Sequence, residues 1–140
     1  MIYYIGIGTN LGNRQENIAK ALQLIQERTG RILRHSKDFI SEPWGFSSEN
    51  TFLNIAIALD SELSPIDLLH QTQAIEREMG RTHKSVNGVY HDRIIDIDLL
   101  ECEGITIHSE ELNLPHPLIN QRDFVYIPLQ EVKMQEEPHS

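Results

Sequence analysis

Two amphipathic helical stretches, each set between β-type runs, constrain this chain more than any other feature. Ile2 to Gly8 is apolar, β-branched and aromatic, and reads as a buried strand. Ile18, Leu22 and Ile25 then recur at helical spacing, and Gly30 stands where a helix C-cap belongs. Ile32 to Ile40 reads as a second strand of imperfect alternation, and Phe52 to Leu59 as a third. Ser64 and Pro65 open the next helix, with Ser64 as N-cap, Pro65 at the first position and Asp67 at the third. Leu68, Thr72, Ile75 and Met79 form its stripe, and Gly80 ends it. Arg93 to Glu101 reads as a fourth strand. The order strand–helix–strand–strand–helix–strand predicts an α+β, ferredoxin-like βαββαβ core, an antiparallel sheet with two helices on one face. A hairpin around Gly104, a short helix and a last strand from Phe124 to Ile127, punctuated by Pro115, Pro117 and Pro128, form a C-terminal extension.

A chain of 140 residues is the size of one domain, here 1–140, with a polar tail from 134 onward expected to fray. Such a domain buries roughly 70% of its unfolded surface and needs no staples. With Cys102 alone, no internal disulfide forms, which points to a reducing cytoplasm. No apolar run approaches the roughly 20 residues that span a bilayer. The start lacks the basic and apolar regions of a signal peptide. Twelve Lys and Arg against twenty-one Asp and Glu give a net charge of −9. That balance disfavours nucleic acid and anionic membrane as partners, but not a nucleotide bridged by a divalent cation.

The sharpest chemical feature is Asp96 with Asp98. On a strand these side chains share one face, about 6.5–7 Å apart, with Ile95, Ile97 and Leu99 on the other. Such a pair either holds Mg²⁺ against a polyphosphate or is the wet face of an amphipathic strand. Arg93 lies at the strand's mouth, free to fork onto a phosphate or to pair with Asp92. The preceding loop, Arg81 to Asp92, is the most basic stretch of an acidic chain. Gln73 and Glu76 sit one helical turn apart, away from Leu68 and Ile75, as groove lining or as a solvated face. Trp44, Phe52 and Phe124 are among few aromatics. Asn54 shares a face with Phe52, so two rings and an amide could sandwich a flat heterocycle, or simply join the core. The glycines at 6, 8 and 12 lack the spacing of a P-loop or dinucleotide site and read as turn and close-packing residues. Histidine spacings fit no zinc site, and His116 stands out only for lying between two prolines.

Together these pieces resemble the 6-hydroxymethyl-7,8-dihydropterin pyrophosphokinase (HPPK) family of folate biosynthesis. The matching segments run from Ile5 to Gly12, from Phe52 to Ala56, Gln73 with Glu76, Gly80 with Arg81, from Arg93 to Leu100, from Leu114 to Pro117, and Arg122 with Phe124. The resemblance spans about residues 4 to 132 in family order and implies a ferredoxin-like fold. It also implies transfer of pyrophosphate from ATP to the pterin hydroxymethyl group, leaving AMP. In that scheme Asp96 and Asp98 hold two Mg²⁺ ions, and Phe52 and Phe124 stack on the pterin while Asn54 reads its edge. Pro43, Trp44 and Gly45 add backbone hydrogen bonds. Gln73, Glu76, His116 and Arg122 contact ATP, and Arg81 and Arg93 reach the phosphates. ATP and a pterin are the expected partners of a cytoplasmic monomer.

The chain departs from the common family pattern at His83, at Asp92 beside Arg93, and at Glu111 and Pro117. Two other readings suit the same residues. One is a different metal-dependent phosphotransferase or nuclease, which the acidic balance disfavours. The other is a non-catalytic ligand-binding domain on the same fold.

Overall fold

The computed structural model describes residues 1–41, 51–80, 94–117 and 119–134. Its elements are β1 (Ile2–Thr9), α1 (Arg14–Arg28), β2 (Arg31–His35), β3 (Phe39–Ser41), β4 (Phe52–Asp60), α2 (Pro65–Glu78), β5 (Asp96–Cys102), β6 (Ile107–His108), β7 (Asn113–Leu114) and α3 (Asp123–Met134). The main sheet runs β2-β4-β1-β5, every neighbouring pair antiparallel. β1 and β2 are therefore parallel with β4 between them, and β4 and β5 are parallel with β1 between them. That is the split βαβ arrangement twice over.

The caps follow the sequence closely. Asn13 caps α1 by accepting from the Glu16 amide, and Ser64 caps α2 by accepting from the Asp67 amide. Gly80, at φ +95°, ends α2 in the left-handed region that favours glycine. Gly30 has a different reason. Thr29 is the C-cap of α1, and a Cβ on Gly30 would lie 2.2 Å from the Asp60 carbonyl oxygen. Glycine there lets the chain pass tightly against the end of β4.

One sheet face carries Tyr3, Ile5, Ile7, Leu53, Ile55, Ile57, Leu59, Ile97 and Leu99 against the stripes of α1 and α2. The expected strand from Ile32 to Ile40 is interrupted. β2 and β3 both pair with β4, and Ser36 fills the break. Its amide donates to the Ala56 carbonyl, while its hydroxyl accepts from the Ala56 amide and donates to Lys37. The fourth strand begins at Asp96 rather than Arg93, and residue 93 lies outside the described residues.

The expected final strand from Phe124 to Ile127 is instead the start of α3. Its β-branched and aromatic residues favour a strand, and Pro128 reads as a terminator. Yet Val125, Leu129 and Val132 form an i, i+4, i+7 stripe that packs on Tyr4, Ala56, Ala58 and Leu100. An interior proline costs about 3 kcal/mol. Fully burying Leu129 and Val132 returns roughly 1.5–3 kcal/mol each, so the packing wins. Polar ties fix the helix's far end. The Arg34 Nε donates to the Val132 carbonyl at 2.7 Å, and Lys133 pairs with Glu101 at 2.8 Å.

Tyr4 lies under this end of α3 and donates its hydroxyl to Glu103 at 2.8 Å. Burial, and then the Glu103 hydrogen bond, push its phenol up to about 12. Because the folded value exceeds the unfolded one near 10, this contribution to stability is complete below pH 10 and is lost as pH rises through about 12. Alkaline unfolding should therefore be steeper for the parent chain than for Tyr4→Phe. Equal slopes in denaturant titrations between pH 9 and 12 would remove Tyr4 as the cause.

Candidate active site

α3 covers one end of the second sheet face, and the glycines of β1 shape the other. Gly6 and Gly8 point their missing side chains to this face from the central strand. Asn54 of β4 and Asp96 of β5 both stand opposite Gly8, and Ala56 and Asp98 both stand opposite Gly6. An amide and two carboxylates thus face each other across bare backbone. These glycines lie within the strand, so close packing rather than a turn accounts for them.

The Asn54 side chain is held in one orientation. Its Nδ2 donates to the Phe39 carbonyl at 3.1 Å and to the Ser41 hydroxyl at 2.9 Å. A carbonyl only accepts, so the amide nitrogen must face β3 and Oδ1 must face Gly8. A Cβ on Gly8 would lie 2.9 Å from that Oδ1 and 3.7 Å from the Phe52 ring. Phe52 is on the same face two residues before Asn54, and both belong to one corner of the cleft.

On the opposite flank, Ile95, Ile97 and Leu99 are buried in the α1/α2 core, as the alternation requires. Asp96 and Asp98 are half-buried on the cleft side. Among the described residues, two groups bond to the backbone of β5 away from β1. Glu76 of α2 accepts from the Ile97 amide at 2.8 Å, and the His116 amide donates to the Leu100 carbonyl at 2.8 Å. Glu76 is only 6% exposed. The expectation that it shares an outward face with Gln73, away from Ile75, is therefore corrected. α2 overhangs the edge of β5, so its buried stripe widens to include position 76, while Gln73 is half-buried.

His116 is half-buried. Burial and then the neighbouring Arg122 guanidinium push its imidazole pKa down, while Asp96 pulls it up. His116 thus lies within electrostatic reach of both Arg122 and Asp96. Arg122 is 7% exposed, with its guanidinium carbon 5.8 Å from the centre of the half-buried Phe124 ring. The structure thus places Phe52, Asn54, Asp96 and Asp98 on one part of this face, with His116 near Asp96 and Arg122, and Phe124 beside Arg122. Pro43, Trp44, Gly45, Arg81 and Arg93 lie outside the described residues, as do His83 and Asp92.

Hard oxygen donors at alternate positions, with bare backbone beside them, suit Mg²⁺. Among the described residues no third His, Cys, Asp or Glu joins them as a metal-holding group. Two carboxylates plus water and phosphate match the habit of that ion, which seldom occupies an all-protein cage.

Sequence reasoning missed two parts of this site, Ser41 and Asn17, and the backbone role of a third, Glu76. Ser41 anchors Asn54, Glu76 clamps the β5 edge, and Asn17 donates to Thr9 and Leu11 to close the turn after β1. Only the last had a local signal, as a polar residue on the first turn of α1.

Residues 4–134 match the family described as 7,8-dihydro-6-hydroxymethylpterin-pyrophosphokinase, HPPK. The chain belongs to this family. A relative from Porphyromonas gingivalis called 2-amino-4-hydroxy-6-hydroxymethyldihydropteridine pyrophosphokinase is 54% identical over 132 residues, covering 94% of this chain and 90% of that one. A protein of the same name from Methylorubrum extorquens is 38% identical, covering 92% and 80%. The HPPK-DHPS protein of Plasmodium falciparum has the same fold, with a TM-score of 0.69 at 15% identity. The match covers 93% of this chain and 39% of that longer one. The present chain is accordingly a pyrophosphokinase of folate biosynthesis, an enzyme rather than a non-catalytic binding domain.

Gly8→Ala tests whether bare backbone is needed. The intruding methyl meets the tip of a side chain, so folding should suffer by about 1 kcal/mol, at the low end for overpacking. The displaced Asn54 amide should weaken pterin binding about tenfold. Unchanged pterin affinity in calorimetric titration would show that Gly8 is dispensable to the site.

Proposed function

We propose that this pyrophosphokinase transfers the β,γ-pyrophosphoryl group of ATP to the hydroxymethyl oxygen of 6-hydroxymethyl-7,8-dihydropterin, releasing AMP, with Mg²⁺ held by Asp96 and Asp98. The observation that carries the reading is the row Asn54–Gly8–Asp96, which sets a fixed acceptor and a carboxylate on opposite sides of bare backbone. A flat ring lying near Gly8 can offer an N–H to the Asn54 Oδ1 while its substituent points to the β5 acids. Phe52 and Phe124 supply the stacking faces. The Pro43, Trp44 and Gly45 segment belongs to this pterin side by family resemblance.

ATP takes the other flank, against Gln73, Glu76, His116 and Arg122, with Arg81 and Arg93 at its phosphates. Arg122 brings a fixed cation that needs no reorganisation as charge shifts along the polyphosphate. His116, its pKa lowered, serves as a neutral hydrogen-bonding imidazole at pH 7. Pyrophosphoryl transfer asks for alignment and charge neutralisation more than covalent chemistry. When bound, two Mg²⁺ ions would neutralise the phosphates and lower the pKa of the attacking hydroxyl. The chain's own contribution is to hold the pterin oxygen in line with the β-phosphorus. Small molecules are the partners of this reading, which also takes the chain as a cytoplasmic monomer without nucleic acid or membrane contacts. No helix among the described residues is long and apolar enough to cross a membrane.

Incubation with ATP, Mg²⁺ and 6-hydroxymethyl-7,8-dihydropterin should give AMP, and only when all three are present. ADP as the product would mean that a different phosphoryl bond is broken, and the reading would fail. Asp98→Asn should fold normally and lose most turnover, at least about a hundredfold, because a neutral amide is a poor ligand for a hard cation. Turnover near the parent level in that folded variant would refute the metal assignment.

A further inference from the structure

α1 begins with a cation where a helix disfavours one. Arg14 is its first residue, at the end where unpaired amides carry partial positive charge. The half-buried guanidinium is directed across the fold. Its Nη1 donates both to the Thr51 carbonyl, at 3.1 Å, and to the Thr51 hydroxyl, at 2.8 Å. Thr51 immediately precedes β4, whose first pairing with β3 joins Phe52 to Ser41. Arg14 therefore ties down the chain one residue before the ladder starts. Next to it, the Gln15 amide donates to Asp38 at 3.1 Å, one residue before β3. The first turn of α1 thus pins both strands that form the Phe52–Asn54 corner.

We infer that Arg14 is a positioning residue for the pterin subsite, acting through Thr51 on the ring of Phe52 and on the β4 backbone that carries Asn54. The inference rests on the assignment of Phe52 and Asn54 to pterin. Arg14 itself touches neither substrate. Its two bonds fix the backbone at the point from which the Phe52 side chain leaves. A stacking face displaced by a fraction of an ångström loses affinity for its own ligand, not for a nucleotide on the far side of the cleft. A purely structural role would weaken the whole fold and both substrates alike.

The test compares the parent chain with Arg14→Ala, Arg14→Lys and Thr51→Val. Pterin binding is followed by fluorescence titration with 6-hydroxymethyl-7,8-dihydropterin, and KM for each substrate by AMP formation. Arg14→Ala should raise the pterin Kd and KM about tenfold while moving the ATP KM less than about twofold. Arg14→Lys should recover part of the loss, since an ammonium can also donate to both Thr51 oxygens. Thr51→Val removes only the hydroxyl, and should give a smaller rise of about threefold with a normal melting temperature. That variant carries the test if Arg14→Ala does not fold. Pterin affinity unchanged in the folded variants, or pterin and ATP affected equally, overturns the inference. Absence of AMP from the parent chain would instead refute the reaction assigned above, and the binding titration would still decide the role of Arg14.

Discussion

The site depends on a central strand that carries no side chain at two positions of one face, Gly6 and Gly8. β1 lies between β4 and β5, so whatever flanks it on the cleft face is brought together across it. With side chains at positions 6 and 8 this face would be crowded, since a Cβ on Gly8 would lie 2.9 Å from the Asn54 Oδ1 and one on Gly6 3.4 Å from Leu100; with glycines, Asn54 and Asp96 can flank the same residue. Glycine within a strand costs roughly 0.5–1 kcal/mol relative to alanine. The opposite face offsets this. Ile5 and Ile7 alternate with the glycines, are 0% and 2% exposed, and each return about 1.5–3 kcal/mol by burial. One strand thus anchors the core from Tyr3, Ile5 and Ile7, while on the other face Ile2 and Tyr4 pack under α3 and positions 6 and 8 carry no side chain.

α3 sets where that room ends. It covers Tyr4, Ala56, Ala58 and Leu100, and the Leu100 side chain reaches to 3.4 Å from where a Gly6 Cβ would stand. Gly6 is therefore where the α3-packed part of this face meets the part that carries Asn54 and Asp96. The helix's far end is tied to Arg34, Glu131 contacts the Lys37 amide, and Lys133 reaches Glu101. Its near end delivers Arg122 and Phe124 to the cleft. The same element closes the hydrophobic core and completes the site, so its stability and its function are bound to one orientation.

Most of the sheet was legible because period 2 and period 3.6 are strong local signals. Asp96, Asp98 and the buried isoleucines beside them follow from alternation alone, and the caps at Ser64 and Gly80 from residue type. α3 was not legible, since its local residues prefer a strand and Pro128 argues against a helix. Only the distant partners Tyr4, Ala58 and Leu100 make its stripe worth burying. Glu76 was misread for a related reason. Helical spacing fixes which residues share a face, but the width of the buried stripe depends on what packs beside it. Ser41 and Arg14 act through contacts 13 and 37 residues away, which no window on the sequence contains.

Glu76 also clarifies how the two aspartates keep their spacing. β5 is an edge strand, and an edge amide left unpaired between two carboxylates would invite either side chain to fold back onto it. Glu76 occupies the Ile97 amide instead, from a helix locked into the core by Leu68, Thr72 and Ile75. The buried carboxyl oxygen is in turn satisfied by that amide, at 2.8 Å. The edge peptide remains extended, and an extended peptide keeps alternate side chains on one face, about 6.5–7 Å apart. The third carboxylate thus acts on the other two through the backbone that separates them.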